Sequence, residues 1–198
     1  EALKEDAPRL YPEGNVFNKI PFVAAWGDVE KGFADADVVA EDRFEIKPQM
    51  HAALEPHVCI ASWSVDELTL WSATQTPTEV QEGVAHALEM PASKVRVISH
   101  YIGGGFGGKY LERYQAITAL LSKKAGGQKT KCALTREESL THAKRFLAKE
   151  YVKIGAKKDG TITAIQFKGY ADLGGYGNYY GFGNFYGEFP CCAYKCKN

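Results

Sequence analysis

The amino-acid sequence predicts an α+β fold with two layers, in which a mixed β-sheet with hairpins packs against two main helices. Short runs rich in β-branched and aromatic residues, several with alternating apolar positions, are typical of strands. Two longer segments repeat apolar residues at the spacing of an amphipathic helix. Turn-forming residues separate strand pairs near both ends of the organised region, which predicts hairpins.

The overall composition is that of a globular chain with no charge excess. Lys plus Arg and Asp plus Glu both number 24 among the 198 residues, so no basic field attracts nucleic acid or an anionic membrane. No apolar run reaches the roughly 20 residues that a membrane span needs. The five cysteines contain no C-x-x-C pair, which fits a reducing compartment. We therefore expect a cytoplasmic protein with no nucleic-acid partner and no membrane span.

The first third of the chain predicts an arm followed by strands. Residues 1–27 contain prolines and glycines with little periodicity, which predicts an extended arm or linker, and organised structure is expected from about residue 28. The run 38–46 has the composition of a strand. The runs 57–65 and 68–74 are also β-rich and lie two residues apart, which predicts a hairpin.

Two segments predict amphipathic helices. In the first, residues 77–90, Thr78 is the candidate N-cap and Pro91 ends the helix. In the second, residues 110–127, Gly126 is placed to end the helix. The expected buried faces comprise Val80, Val84, Ala87 and Leu88 in the first helix and Leu111, Tyr114, Ile117, Leu120 and Leu121 in the second.

Further strands are predicted around and after these helices. Residues 94–100 form a partly buried strand that leads into a glycine-rich loop, and residues 129–137 form the strand after the second helix. The runs 150–156 and 161–173 form a hairpin whose turn contains Asp-Gly, a pair that suits positive φ at both central positions. The glycine and aromatic segment 174–189 has no clear period and is expected to form an irregular loop.

The loop in "YIGGGFGGKYLERY" satisfies two phosphate-binding spacings at once, G-x-x-x-x-G-K and G-x-G-x-x-G. A P-loop requires Ser or Thr after the lysine to bind magnesium, whereas Tyr110 follows Lys109. A dinucleotide fold requires an acid about 20 residues on, whereas Glu137 and Glu138 come later, after hairpins instead of repeated βαβ units. A ligand-free turn is a further alternative, although five glycines make such a loop conformationally costly. From chemistry alone, backbone amides ahead of a helix predict a cradle for a phosphate, an oxyanion or a metal-oxo group.

Several ordered motifs resemble the molybdopterin-binding large subunit of molybdenum hydroxylases, the family of xanthine dehydrogenase and aldehyde oxidoreductase. The glycine loop "GGGFGGK" (103–109) resembles the family's loop signature. "HAALEPHVCIASW" (51–63), "LTLWSATQTP" (68–77) and "TREESL" (135–140) resemble further family segments in the family's order. The resemblance implies that residues 28–198 are the first part of the molybdenum-cofactor domain, after a hammerhead-like domain that this chain lacks.

The resemblance also implies roles for individual residues. Gln75 corresponds to the glutamine that hydrogen-bonds an oxo ligand of molybdenum. Gly105, Phe106 and Gly107 correspond to the part of the loop that contacts the metal's ligand sphere, and the Phe106 ring would wall the substrate pocket. Tyr110 stands where purine-oxidising members carry a glutamate, which favours an aldehyde or another aromatic heterocycle as substrate. No residue of this chain is expected to ligate the metal directly.

The same resemblance places other parts of the enzyme outside this chain. The catalytic glutamate base lies far downstream in the family, so the chain is expected to be inactive alone. Iron–sulfur clusters and FAD are expected on partner domains or subunits, together with the remainder of the large subunit itself. The alternatives are a non-enzymatic binding or assembly module with this fold and a P-loop-like nucleotide-binding domain.

Other candidate residues have simpler interpretations. His51, Glu55 and His57 invite a zinc interpretation, but the resemblance makes Glu55 and His57 supporting residues. Arg136 and its two acidic neighbours are interpreted as a solvated or ion-paired corner. The cysteines at 191, 192 and 196 are interpreted as ordinary thiols.

Overall fold

The fold was analysed in a computed structural model that describes residues 2–16, 23–110, 113–142, 144–172 and 193–197. The helices are α1 (Val29–Ala34), α2 (Pro77–Ala87), α3 (Arg113–Lys124) and α4 (Arg136–His142). The strands are β1 (Val38–Ile46), β2 (Gln49–Met50), β3 (Val58–Ser64), β4 (Glu67–Ser72), β5 (Val95–Ile98), β6 (Thr130–Ala133), β7 (Lys144–Arg145), β8 (Ala148–Ala156) and β9 (Ile162–Ala171). The α+β class that the sequence predicts is confirmed, with three separate sheets in place of one.

The chain divides into two compact units, and the first comprises residues 1–48 and 146–198. Its sheet has the order β1-β8-β9, and both pairings are antiparallel. The β8–β9 turn differs from the prediction, because Gly160 has a positive φ of 88° and Asp159 does not. The Gly160 N–H bonds Lys157 O and the Lys157 N–H bonds Thr161 O, so the loop is three residues long with glycine at its left-handed position.

The predicted arm and the glycine and aromatic segment are described only in part. Residues 2–16 and 23–27 contain no helix or strand, and the arm stays a prediction. The segment 174–189 lies outside the described residues, as do the cysteines at 191 and 192. None of the helices that the structure describes is both long enough and apolar enough to cross a membrane.

The second unit, residues 49–145, is built on a four-stranded sheet of order β5-β4-β3-β6. The predicted β3–β4 hairpin is present, and β5 pairs with β4 in parallel. Helices α2 and α3 contribute to one buried cluster with the sheet. The cluster consists of Cys59, Ala61, Leu68, Leu70, Val80, Val84, Ala85, Val95, Tyr114 and Ala119. These apolar residues alternate along β3 and β4, so one face of the hairpin is buried.

The N-cap of helix α2 lies two residues before the predicted one. This N-cap is Thr76, whose side chain makes no capping hydrogen bond, and Pro77 occupies the first turn. Proline at this position is favoured because its fixed φ suits a helix start and it has no N–H to leave unpaired. Thr78 therefore lies inside the helix. The prediction of a buried Ala87 is also wrong, because Ala85 is buried in its place.

Helix α3 buries a different face from the predicted one. Its buried residues are Tyr114, Gln115, Thr118, Ala119 and Ser122, whereas Ile117, Leu120 and Leu121 are each about half exposed. The inward polar groups have partners: the Gln115 amide donates to Ser72 Oγ at 3.1 Å and Ser122 Oγ donates to Gln128 O at 2.7 Å. Small inward side chains let the helix approach the sheet so closely that Trp63 Nε1 donates to Ala119 O at 2.8 Å.

The ends of α3 and α4 follow known capping chemistry. Gly126 has a φ of 70°, its N–H bonds Lys123 O, and the N–H of Gly127 bonds Ser122 O, which together form a Schellman motif. Gly126 therefore ends α3, as predicted. The strand predicted over 129–137 ends at Ala133, because Thr135 and Glu138 exchange hydrogen bonds in a capping box that starts α4.

Candidate functional site

The glycine loop lies between the end of β5 and the start of α3, at one end of the four-stranded sheet. Gly104 and Gly107 have φ values of 92° and 88°, which only glycine adopts readily. Phe106 also has a positive φ, 56°, although it has a side chain. Within the described part of the chain, the peptide N–H groups of Gly104, Gly105 and Phe106 donate to no protein atom. Three successive backbone donors of the loop therefore have no protein partner; Gly104 is half-buried, Gly105 is buried and Phe106 is exposed.

Gln75 supports this loop from the segment that follows β4. Its Oε1 accepts hydrogen bonds from the N–H groups of Gly107 at 3.0 Å and Lys109 at 3.3 Å, and its own N–H donates to Lys109 O at 2.7 Å. Because two backbone donors face Oε1, the amide orientation is assigned by the hydrogen bonds, and Nε2 remains as a donor. The side chain of Gln75 is solvent-exposed, so this donor is accessible.

Gly105 must be glycine because Gln75 occupies the space of a side chain. A Cβ at this position would lie 2.3 Å from Gln75 Oε1 and 2.5 Å from Gln75 Cδ. The structure therefore brings together Gln75, Gly105 and Gly107, three of the four residues that the resemblance assigns to the cofactor; the fourth, Phe106, lies between the two glycines.

The two aromatic residues assigned to a substrate pocket lie beside the glycines. Phe106 is 73% exposed, and its Cε2 lies 2.9 Å from the position that a Cβ of Gly104 would take. Tyr110 is half-buried, and its Cε2 lies 3.8 Å from the position of a Cβ on Gly107. Both rings thus flank the loop that carries the available amides.

The side chain of Lys109 is buried in the protein. It is 1% exposed, and Nζ forms an ion pair with Glu55 Oε2 at 2.7 Å. Burial raises the pKa of the Glu55 carboxyl, but its bonds to Lys109 and to the Gly103 N–H outweigh burial and lower the pKa overall. This lysine cannot serve as the phosphate-binding lysine of a P-loop, which must reach the nucleotide.

His57 supports the loop from beneath. Its ring Nε2 lies 2.7 Å from Gly108 O and its Nδ1 lies 3.2 Å from Ser139 Oγ of α4. His57 and Glu55 are therefore supporting residues, as the resemblance implies. The sequence assigns no loop contact to Lys109, because its carboxylate partner is 54 residues away in the chain. Among the described residues, no group of three His, Cys, Asp or Glu side chains could hold a metal ion.

Arg136 is also part of the support. Its Nη1 donates to Ala53 O at 2.6 Å and its Nη2 donates to Leu54 O, so the guanidinium binds the two carbonyls that precede Glu55. The sequence interpretation of this residue as part of a solvated corner is incomplete, because its partners are 82 and 83 residues away in the chain.

The donor set suits a ligand that only accepts hydrogen bonds. It consists of three backbone N–H groups and the Gln75 amide, all neutral, with the nearby cation Lys109 already paired. Neutral donors stabilise oxo groups and oxyanions without adding charge. The family described as "Molybdopterin cofactor-binding domain" matches residues 11–198 of this chain.

The chain belongs to the molybdopterin cofactor-binding domain family.

Known members of this family are similar in sequence and in structure. The aldehyde oxidoreductase molybdenum-binding subunit PaoC of Escherichia coli (strain K12) is 36% identical over 148 residues, which are 73% of this chain and 20% of that protein. The nicotinate dehydrogenase large molybdopterin subunit of Eubacterium barkeri is 34% identical over 175 residues, 87% of this chain and 40% of that protein. The solved aldehyde oxidoreductase of Desulfovibrio gigas matches with a TM-score of 0.70 and 26% identity, over 86% of this chain and 19% of that one. The chain thus spans well under half the length of these three proteins.

Proposed function

We propose that this chain forms the first part of the cofactor domain in the large subunit of a molybdenum hydroxylase. The observation that carries the proposal is the joint placement of Gln75 Nε2 and three available loop amides in a chain of the molybdopterin cofactor-binding domain family. The relatives named above are a molybdenum-binding subunit, a molybdopterin subunit and an aldehyde oxidoreductase, which supports the same class of protein.

The chain's own residues would bind and orient the cofactor. The amides of Gly105 and Phe106 would donate to its oxo or phosphate oxygens, and Gln75 Nε2 would donate to an oxo ligand of the metal. Because Gln75 Oε1 is held by two backbone N–H groups, its amide plane is fixed before a ligand arrives. When bound, the molybdenum cofactor supplies the redox centre for the hydroxylation of a substrate carbon. No residue of this chain is proposed as its metal ligand or as the catalytic base.

The substrate is proposed to be an aldehyde or an aromatic heterocycle. The exposed Phe106 ring offers an apolar surface next to the loop, and a planar substrate could pack against it. Tyr110 offers a neutral phenol at the position where the purine-oxidising members carry a carboxylate. A neutral phenol cannot form the charge-assisted hydrogen bonds that a carboxylate makes to a purine, so a purine is the less suitable substrate.

The remaining components of the enzyme are proposed to lie on other domains or subunits. These are the catalytic base, on the rest of the large subunit, and the iron–sulfur clusters and FAD that would carry electrons away. A cytoplasmic location also stays a prediction, which rests on the cysteine pattern of the sequence.

The test is the cofactor content of the protein that carries this chain, purified from a host that makes molybdenum cofactor. Molybdenum is measured by mass spectrometry and pterin by fluorescence after release and oxidation. We expect both in equal amounts in the wild type and about a tenfold loss for Gln75→Ala, since about 1.4 kcal/mol of binding energy corresponds to tenfold in affinity. Gln128→Ala, a change at an exposed glutamine in the same unit, is the control and should leave both unchanged. A wild-type preparation without molybdenum and pterin would overturn the proposal.

A further inference from the structure

The two ends of the glycine loop are joined by one carboxylate oxygen. Glu55 Oε2 accepts a hydrogen bond from the Gly103 N–H at 2.9 Å and another from Lys109 Nζ at 2.7 Å. Gly103 and Lys109 are the first and last residues of the loop, so a single atom fixes the distance between its ends. The Glu55 N–H also donates to Gly103 O at 3.1 Å, which adds a backbone contact at the same place.

The contact requires glycine at the first loop position. A Cβ on Gly103 would lie 2.4 Å from Glu55 Cβ, so the backbone of the loop and the side chain of Glu55 are already at their closest approach. The same close approach recurs at Gly105 with Gln75 and at Gly108, where a Cβ would lie 2.7 Å from His51 Nδ1. Three glycines of the loop therefore each lie against a side chain from another segment of the chain.

The two side chains of the ion pair differ in their exposure to solvent. Lys109 is 1% exposed, whereas Glu55 is 34% exposed, so the cation is the member that depends on its partner. An ammonium group left in a buried site without its carboxylate is among the most unfavourable states that a single substitution creates. Glu55 thus neutralises the buried positive charge of Lys109, the last residue of the loop.

Glu55 is in turn fixed by α4 through its neighbours in sequence. Arg136 binds the carbonyls of Ala53 and Leu54, and Ser139 Oγ lies 3.2 Å from both the N–H and the Nδ1 of His57. The segment on both sides of Glu55 is therefore tied to one short helix. The segment that contains Glu55 is therefore bonded both to α4 and to the glycine loop.

We propose that Glu55 is a positioning residue, whose carboxylate holds Gly103 and the buried Lys109 so that the loop amides are ordered before the ligand binds. The inference rests on the proposed function only for the nature of that ligand. The ordering of the loop is a property of the protein without cofactor, and it can be measured separately.

The experiment compares Glu55→Gln, Lys109→Met and the double variant in the full subunit. The first readout is hydrogen exchange of the peptide 103–110 in protein stripped of cofactor, and the second is the molybdenum and pterin content of protein as purified. The third is the midpoint of thermal unfolding. Asp66→Asn is the matched control, because it breaks the exposed pair of Asp66 with Lys94, 3.0 Å apart in the same unit.

Glu55→Gln is expected to accelerate exchange of the loop peptide about tenfold, because the ion pair with the buried ammonium is replaced by a weaker hydrogen bond to an uncharged amide oxygen. Cofactor content should fall with it, while Asp66→Asn leaves both unchanged. The double variant removes the unpaired buried charge, so its unfolding midpoint should recover toward the wild type. Its loop exchange and cofactor content should not recover, because the link between the loop ends is still missing.

Two results would overturn the inference. One is wild-type exchange of the loop peptide in Glu55→Gln. The other is a double variant in which stability, loop exchange and cofactor content all recover together, which would make the pair a purely structural contact. If the wild type contains no molybdenum or pterin but loop exchange responds as expected, the proposed function fails and the positioning role of Glu55 stands.

Discussion

The substitution Gly105→Ala tests the contact between the glycine loop and Gln75. The new Cβ would lie 2.3 Å from Gln75 Oε1, a separation that real Cβ atoms do not show, so the amide must move. The φ of Gly105 lies outside the left-handed region, so alanine adds no backbone strain there. When the amide moves, the N–H groups of Gly107 and Lys109 lose their acceptor. At about 0.5–1.5 kcal/mol for each net hydrogen bond, the expected local loss is about 1–3 kcal/mol.

Hydrogen exchange of the peptide 103–110 measures this loss directly, and an acceleration of about 5- to 150-fold corresponds to about 1–3 kcal/mol. The variant is then repeated in a Gln75→Ala background, where the three clashing atoms are absent. In that background Gly105→Ala should change the exchange rate little. Gly126→Ala is the control, since that glycine has a φ of 70° and no atom within 4 Å of its Cβ position. An equal effect of Gly105→Ala in both backgrounds would refute the reasoning.

Four further predictions concern helix capping, a glycine contact and a buried thiol. Thr135→Ala should lower the free energy of unfolding by about 1 kcal/mol in urea titration, because it removes one half of the capping box of α4. The Thr135 N–H lowers the pKa of the Glu138 carboxyl, so the contribution of this carboxylate to stability is present above pH 4.5 and is lost as the pH falls through the lowered pKa. Glu138→Gln should remove this acid-dependent contribution. An acid titration of stability that is unchanged in the variant would contradict the cap. Gly127→Ala should destabilise more than Gly126→Ala, because its Cβ would lie 3.0 Å from Trp63 O at a φ of 85°, and equal unfolding midpoints would argue against this. Burial raises the pKa of the Cys59 thiol to about 12, so iodoacetamide at pH 8 should label Cys59 only after unfolding, a result that mass mapping checks.

The elements that the sequence predicted well have strong local signals. The strand β1 coincides with its predicted range 38–46, and the β3–β4 hairpin follows from two alternating runs with a short connection. Gly126 ends α3 as predicted, because the left-handed residue of a Schellman motif favours glycine. In each case the conformation is determined by residues that are close together in the sequence.

The errors arose where distant contacts outweigh local patterns. The apolar residues of α3 predicted Ile117, Leu120 and Leu121 as buried, but Gln115 and Ser122 find hydrogen-bond partners inside and occupy that face. Periodicity counts apolar residues and cannot register that a polar side chain has a partner, which for Gln115 is Ser72, 43 residues away. The three half-exposed residues form an apolar strip on the outer side of α3.

The candidate site likewise combines features that local sequence predicts with features that depend on distant contacts. The glycine loop was visible in the sequence because five glycines close to a strand end imply close backbone approach, and the resemblance attached Gln75 to it. The sequence could not show that Gln75 Oε1 faces inward to two N–H groups, or that Lys109 is buried on Glu55, 54 residues away.

By itself, the sequence determined the α+β class, the loop's backbone donors and the family, because spacing and local conformational preference are properties of neighbouring residues. The tertiary structure alone decided which of those N–H donors have no protein partner, because folding brings an acceptor from a distant segment to some of them and not to others. Glu55, Gln75 and His57 bind groups at the base of the loop and leave the N–H groups of Gly104, Gly105 and Phe106 without a protein partner. The proposed ligand-binding surface therefore consists of the loop amides that the supporting contacts do not use.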